Sequence, residues 1–118
     1  MTSEQANGFA RSWITAWNSH DMDMIFSHYT EDFEMSTPYI VSIMNDPTGT
    51  LRGKKAVGAY WNKALQAYPD LHFVLENTYA SVNAVAISYR SVNNRKALEM
   101  LMLNPEGKVF KAFGCYAE

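Results

Sequence analysis

Residue types that form disulfides and metal sites are scarce in this sequence. Its 118 residues include one cysteine, Cys115, and three histidines. A single cysteine excludes a disulfide or a thiolate metal cluster within the chain. The histidines do not have the close spacing of metal ligands, so we expect no metal site.

Excess charge and long apolar runs are also missing. The net charge is −2 at pH 7 and the largest basic cluster is Lys54-Lys55, so we expect no nucleic-acid partner. No apolar run is long enough to span a membrane, and the first residues lack the features of a signal peptide. We therefore expect a cytoplasmic protein without membrane contact.

Aromatic side chains are abundant. The chain has three Trp, seven Tyr, six Phe and seven Met, and 47% of its residues are hydrophobic. This composition allows a buried core and suits one domain over residues 1–118. Aromatic and Met side chains also line apolar pockets and subunit interfaces. The composition therefore agrees with two roles for these residues, packing of the core and lining of a pocket.

The order of local patterns predicts an α+β fold with an antiparallel sheet. Apolar residues at helical spacing predict helices over Ser3–Ser19, with Ser3 as N-cap, and over 21–29 and 54–68. Residues 33–37 predict a strand that stops at Pro38, and 39–51 predict a loop with an apolar start. Four further strands are predicted over 71–80, 84–92, 95–103 and 108–116.

The turn at Asn93-Asn94 leads to a prediction about the sheet faces. If these two residues form the whole turn, Arg90 pairs with Ala97 and Ser88 pairs with Glu99. Arg90 and Glu99 then share one face with small residues, and Val85, Ile87, Tyr89, Met100 and Met102 form an apolar patch on the other. The Arg90–Glu99 pair either lines a cavity or is an exposed ion pair.

Several segments in order resemble the SnoaL-like branch of the nuclear transport factor 2-like superfamily. They are AWNSHD at 16–21, HYTEDF at 28–33, GTLRGKKAV at 49–57, PDLHF at 69–73 and EGKV at 106–109. The resemblance implies a cone-shaped, curved and mostly antiparallel sheet wrapped around three N-terminal helices, with an internal pocket. It also implies a homodimer through the outer sheet face, and an Arg90–Glu99 face turned inward.

The resemblance places known roles on individual residues. Relatives include ketosteroid isomerase, limonene epoxide hydrolase, scytalone dehydratase and polyketide cyclases, and other members only bind ligands or proteins. The late-strand acid of ketosteroid isomerase falls on Glu99, its helix Tyr on Trp13, and its base on Thr37 before Pro38. A Thr hydroxyl is not a useful base at neutral pH, so ketosteroid isomerase activity itself is not expected.

These observations leave three functions open. One is a cofactor-independent isomerase, cyclase or hydrolase acting on a small apolar carbonyl or polyketide-like compound, in which Glu99 transfers protons and Arg90 orients it. The second is a non-catalytic protein that binds a small apolar molecule, and the third is a dimeric assembly domain. The predicted ligand-binding residues are Trp13, Trp17, Thr37, Trp61, His72 and Tyr116, and Ala112 and Gly114 leave ligand volume if they face inward.

Overall fold

Four helices and six strands make up the computed structural model, which describes residues 1–118. In chain order the elements are α1 (Ser3–Ser19), α2 (Met22–Phe26), β1 (Tyr29–Ser36), α3 (Pro38–Met44), β2 (Thr50–Arg52), α4 (Gly53–Ala67), β3 (Val74–Ala80), β4 (Ala84–Arg90), β5 (Lys96–Leu103) and β6 (Val109–Tyr116). The predicted α+β class is confirmed. None of the helices combines the length and hydropathy needed to cross a bilayer.

The helix ends follow local capping chemistry. The Thr2 side chain accepts a hydrogen bond from the Gln5 backbone, and the Gln5 side chain accepts one from the Thr2 backbone. This reciprocal pair satisfies two amides at the start of α1, so Thr2 is the N-cap rather than the predicted Ser3. At the start of α2, Asp21 accepts hydrogen bonds from two backbone amides, as an N-cap Asp does.

Two local predictions between residues 21 and 51 are wrong. The second helix, predicted to reach residue 29, ends at Phe26, and β1 begins at Tyr29. The segment predicted as a loop contains α3 and β2. Thr37 caps α3 and Pro38 is its first residue, which is a recognised helix start.

The sheet has the strand order β2-β1-β6-β5-β4-β3. Strand β1 runs parallel to β6, and all other neighbouring pairs are antiparallel. Strands β3 to β6 form the predicted antiparallel series, and the parallel pair joins the first strand to the last one. One sheet face packs on α1 and α4, and the core lies between them.

The predicted register between β4 and β5 is wrong by one residue. Arg90 pairs with Lys96, Ile87 pairs with Glu99, and the loop contains Val92 as well as Asn93 and Asn94. Both Asn residues have φ of 58°, the left-handed conformation that Asn tolerates. Because side chains alternate between faces, the extra loop residue reverses β4 relative to β5.

The corrected register changes the composition of both sheet faces. The inner face of these two strands carries Val85, Ile87 and Tyr89 with Ala97, Glu99 and Leu101, all buried. The outer face carries Ala86, Ser88 and Arg90 with Leu98, Met100 and Met102. Glu99 therefore faces the helices as expected, whereas Arg90 faces away from them.

Candidate functional site

A cavity lined mainly by aromatic rings lies between the inner sheet face and the helices. The volume of this cavity is about 50 Å³. Sixteen residues line it, and 14 are hydrophobic. The lining residues most relevant to chemistry are Trp13, Trp17, Tyr39, Tyr60, Trp61, Tyr89, Glu99 and Tyr116.

Glu99 is the only carboxyl group that lines this cavity. Its side chain is 4% exposed, and its one hydrogen bond is donated by the Tyr89 hydroxyl to Oε1 at 3.1 Å. Burial raises the pKa of the Glu99 carboxyl from 4.5 to about 8, and the hydrogen bond from Tyr89 opposes the rise. At neutral pH the carboxyl is therefore mostly protonated, and Oε2 has no protein partner.

Three tyrosines beside Glu99 are held in their protonated form. Burial is the main cause that raises the pKa of Tyr60, Tyr89 and Tyr116 above the ordinary 10.0, and the Glu99 charge adds to each rise. A phenol with a raised pKa stays neutral through physiological pH and can donate a hydrogen bond. The cavity therefore offers donors around Glu99 but no base near neutral pH other than Glu99 itself.

Gly114 allows Thr37 and Glu99 to approach β6 closely. A Cβ atom built on Gly114 would lie 3.2 Å from Thr37 Oγ1 and 3.4 Å from Glu99 Oε1. Gly114 and Ala112 both face inward and are buried. This is the orientation in which, according to the sequence prediction, their small size leaves volume for a ligand. Thr37 is buried next to Glu99 but does not line the cavity, and its Oγ1 caps α3.

The two tryptophans of α1 differ in how their indole N–H groups are bonded. Trp13 Nε1 donates to the Tyr29 hydroxyl at 2.9 Å. Burial raises the pKa of Tyr29, and Trp17 Nε1 lies near the Tyr29 hydroxyl without making a hydrogen bond to it. A buried donor without an acceptor costs roughly 1–3 kcal/mol, so the Trp17 side chain is held in place by packing. Its ring contacts Trp13, Trp61 and Phe73.

Side chains at the end of α1 hold one wall of the cavity. Asn18 donates to the Phe73 carbonyl at 2.9 Å and accepts from the Phe73 amide at 2.7 Å. His20 Nε2 lies 2.7 Å from the Leu71 carbonyl oxygen. Phe73 in turn stacks on Trp13 with ring centroids 5.8 Å apart. These contacts join two segments of the sequence, 16–21 and 69–73, that carried the resemblance.

Most of the predicted site residues surround this one cavity. Trp13, Trp17, Trp61, Glu99 and Tyr116 line it. Their proposed roles in binding and catalysis remain predictions.

Two predicted site residues lie elsewhere. Arg90 is on the outer sheet face and pairs with Glu76 at 2.9 Å, so the predicted contact with Glu99 is wrong. The physical reason is the extra loop residue, which turns Arg90 away from the cavity. His72 is exposed, and it borders a separate shallow groove rather than the cavity.

Tyr89 is the main functional candidate that the sequence prediction missed. It was assigned to the outer face because the turn was counted as two residues. A three-residue turn would have brought Tyr89 to the same face as Glu99, and two consecutive Asn residues permit either length. Tyr60 was predicted to be buried on its helix, but the pattern did not indicate that its ring lines a cavity.

Comparison with known proteins adds a family match. The model of the SnoaL-like domain matches residues 10–115. A SnoaL-like protein of unknown function from Burkholderia thailandensis E264 is 51% identical, with a TM-score of 0.94, over 99% of this chain and 98% of that chain. Among curated proteins, no sequence matches.

More distant solved structures share the fold. The polyketide cyclase candidate IdmH from Streptomyces antibioticus is 16% identical, with a TM-score of 0.76, over 95% of this chain and 91% of that chain. The epoxide hydrolase/cyclase-like enzyme SalBIII, which has a role in pyran ring formation in salinomycin, is 18% identical, with a TM-score of 0.75. That match covers 99% of this chain and 95% of SalBIII. At these identities the likeness shows the fold alone.

Proposed function

Because this chain belongs to the SnoaL-like domain family, we propose that it is a cofactor-independent acid–base enzyme acting on a small apolar carbonyl or polyketide-like compound. The observation that carries the proposal is Glu99, a buried carboxyl with one oxygen free in an aromatic cavity. Acid–base groups work best when their pKa lies near the working pH, and the Glu99 pKa of about 8 meets that condition.

The proposed chemistry uses one carboxyl in two steps. Protonated Glu99 donates its proton to the carbonyl oxygen of the substrate, which makes the carbonyl carbon electron-poor and its α-C–H bond more acidic. The resulting Glu99 carboxylate takes up the proton that a substrate carbon or hydroxyl releases in the next step. No net proton is consumed, so neither a cofactor nor a co-substrate is needed. This scheme suits an isomerisation or a ring closure.

The aromatic lining supports both substrate binding and the protonated state of Glu99. Apolar rings bind an apolar substrate and exclude water, which keeps the carboxyl neutral before the proton is transferred. The polyketide cyclase candidate IdmH and the epoxide hydrolase/cyclase-like enzyme SalBIII share this fold, and both descriptions agree with chemistry of this kind. That agreement is an analogy at the level of the fold.

Deuterium exchange tests the proposal without knowledge of the natural substrate. Aryl and cycloalkyl ketones are incubated with the protein in D₂O, and exchange at the α-carbon is followed by NMR. We expect the wild type to accelerate exchange for at least one ketone, and Glu99→Gln to reduce the acceleration about 100-fold or more. Glu76→Gln, which changes a carboxyl on the outer face, should leave the rate unchanged. Equal rates for wild type and Glu99→Gln would rule out the catalytic role.

A non-catalytic ligand-binding protein is the second candidate, and one observation favours it. The position of the ketosteroid isomerase base falls on Thr37, whose hydroxyl caps α3, and the cavity has no second carboxyl. Binding of a ketone, detected by quenching of tryptophan fluorescence, without any α-carbon exchange would support this candidate over the enzyme.

A further inference from the structure

Arg95 is exposed and contacts several residues that line the cavity. Its guanidinium lies 5.1 Å from the centre of the Tyr116 ring and 5.9 Å from the centre of the Tyr39 ring. Its backbone oxygen accepts from the Ser91 amide and its amide donates to the Val92 carbonyl. All four of these neighbours line the cavity. Arg95 does not itself line the cavity, so its exposed guanidinium lies beside the opening rather than inside it.

The charge of Arg95 is not neutralised within the chain. Four ion pairs form, and their basic partners are Arg52, Lys54, Arg90 and Lys111. Arg95 instead donates from Nε to the Ala117 carbonyl at 2.9 Å and from Nη1 to the Tyr39 hydroxyl at 3.4 Å. Nη2 has no protein partner, so one edge of the guanidinium remains available.

The cavity is too small for a complete drug-sized or polyketide-sized ligand in this conformation. Its volume is about 50 Å³. Typical ligand sites measure roughly 300–1,000 Å³. A ligand whose carbonyl group reaches Glu99 would therefore extend into the mouth, beside which Arg95 lies.

The geometry points to Arg95 as a specificity residue that binds a carboxylate at the outer end of the ligand. The substrate class is then an amphipathic keto acid, whose apolar carbonyl end enters the cavity and whose carboxylate stays at the mouth. The planar guanidinium matches a planar carboxylate, and stacking on Tyr39 and Tyr116 holds it in orientation. A phosphate dianion is a less suitable ligand for Arg95, because its two negative charges would meet only the one positive charge of the guanidinium.

The electrostatics of the inner site agree with an anionic ligand. The only carboxyl in the cavity, Glu99, is mostly neutral below its pKa of about 8 and does not repel a carboxylate. Burial raises the pKa of Tyr60, Tyr89 and Tyr116, so these three phenols are also neutral in this range. This inference rests on the proposed function, because it assumes a ligand whose carbonyl reaches Glu99.

Paired probes that differ only in charge test the role of Arg95. The probes are β-benzoylpropionate, an aryl keto acid, and its uncharged methyl ester. Binding at pH 6.5 is followed by quenching of the fluorescence of Trp13, Trp17 and Trp61, the three tryptophans of the chain, all of which line the cavity. We expect the wild type to bind the acid about fivefold more tightly than the ester, as for a partly exposed ion pair.

Variants then locate the source of that preference. Arg95→Gln should bind the acid and the ester equally, Arg95→Lys should keep part of the preference, and Arg11→Gln should keep all of it. Arg11 is an exposed residue of α1, so it controls for the change in net charge. Loss of packing around Arg95 would weaken the binding of both probes alike and would not change the ratio of their affinities.

Each result decides between named alternatives. An unchanged ratio in Arg95→Gln, or a wild type that binds both probes equally, overturns the role of Arg95 and leaves the proposed function standing. A wild type that binds neither probe also overturns the role of Arg95, and the proposed function is then decided by the deuterium-exchange test. If Arg95→Gln fails to fold, the salt dependence of the wild type decides whether Arg95 has this role. If Arg95 binds the carboxylate, the ratio of the affinities for the acid and the ester should fall towards one as the salt concentration rises.

Discussion

Glu99 shows how one residue acquires its chemistry from its surroundings. The side chain is an ordinary carboxylate in water, but desolvation moves its pKa to about 8. Gly114 is part of the same local arrangement, because any larger residue there would push against Glu99 and Thr37. A carboxyl and a glycine on neighbouring strands thus form one functional unit, with Glu99 paired to Gly114 in the sheet.

The raised pKa of Glu99 predicts a pH dependence of stability. Between pH 4.5 and about 8 the folded state holds a proton that the unfolded state has released. The free energy of unfolding should therefore fall as the pH rises through this window and level off above it. The slope is at most about 1.4 kcal/mol per pH unit, and the total is at most on the order of 5 kcal/mol.

Urea unfolding at several pH values, on wild type and Glu99→Gln, measures this effect. The difference between the two proteins isolates Glu99, because other groups contribute equally to both. His28 is one such group: burial lowers its pKa below 6.5, so its contribution to stability is lost as the pH falls. A difference that stays constant from pH 5 to pH 9 would contradict the raised Glu99 pKa.

At the scale of elements, a few residues decide how neighbouring segments are placed. The loop Val92–Asn94 sets which face of β4 meets the helices, and one residue more or less reverses it. Helix α3 depends on Thr37 and Pro38 at its start, and Asn45 at its end has φ of 52°. The segment 71–73 has no regular structure and is held by α1 through side chains.

Asn18 should therefore stabilise the cavity wall as well as the fold. Replacing it by Ala removes two hydrogen bonds and leaves both backbone groups of Phe73 without these partners. We expect Asn18→Ala to lower the free energy of unfolding by about 2 kcal/mol and to weaken ligand binding. Asn7→Ala, an exposed change on the same helix, is the control and should have little effect. Urea unfolding checks this, and equal stability of the two variants would count against it.

At the scale of the whole molecule, the sheet has one face covered by helices and one face open. The open face carries Leu98, Met100, Met102 and Phe113 across β5 and β6. Met100 is 37% exposed, and Tyr79 nearby on β3 is 55% exposed. Partly exposed apolar side chains grouped on one face are typical of a subunit interface. We propose that two copies of the chain associate through this outer sheet face.

Replacing Met100 by Glu tests the proposed dimer. The new charges would face each other or apolar side chains in a symmetric interface, at a cost large enough to dissociate it. Sedimentation should give the wild type twice the chain mass and Met100→Glu the chain mass. Val82→Glu, at the 86% exposed turn between β3 and β4, should remain dimeric. A monomeric wild type at all accessible concentrations would exclude the interface.

The sequence alone was sufficient for features that arise from local interactions. Helices α1 and α4 and the late strands follow from the spacing of apolar residues, and the family follows from short segments in a fixed order. Glu99 was identified as a candidate because it shares a predicted sheet face with Arg90 and small residues, and because the resemblance places the late-strand acid of ketosteroid isomerase on it. These patterns are visible because each depends on residues close together in the chain.

Only the tertiary structure decided the features that depend on distant residues. The register of β4 against β5, the outward position of Arg90 and the place of Tyr89 all depend on a loop for which Asn93-Asn94 permitted two lengths. Likewise, the Glu99 pKa is raised by burial among rings from α1, α4 and β4. The position of Arg95 beside the cavity depends on the contact of its guanidinium with the rings of Tyr39 and Tyr116. Desolvation and contact across the fold are properties of the packed molecule, because no local segment contains both partners.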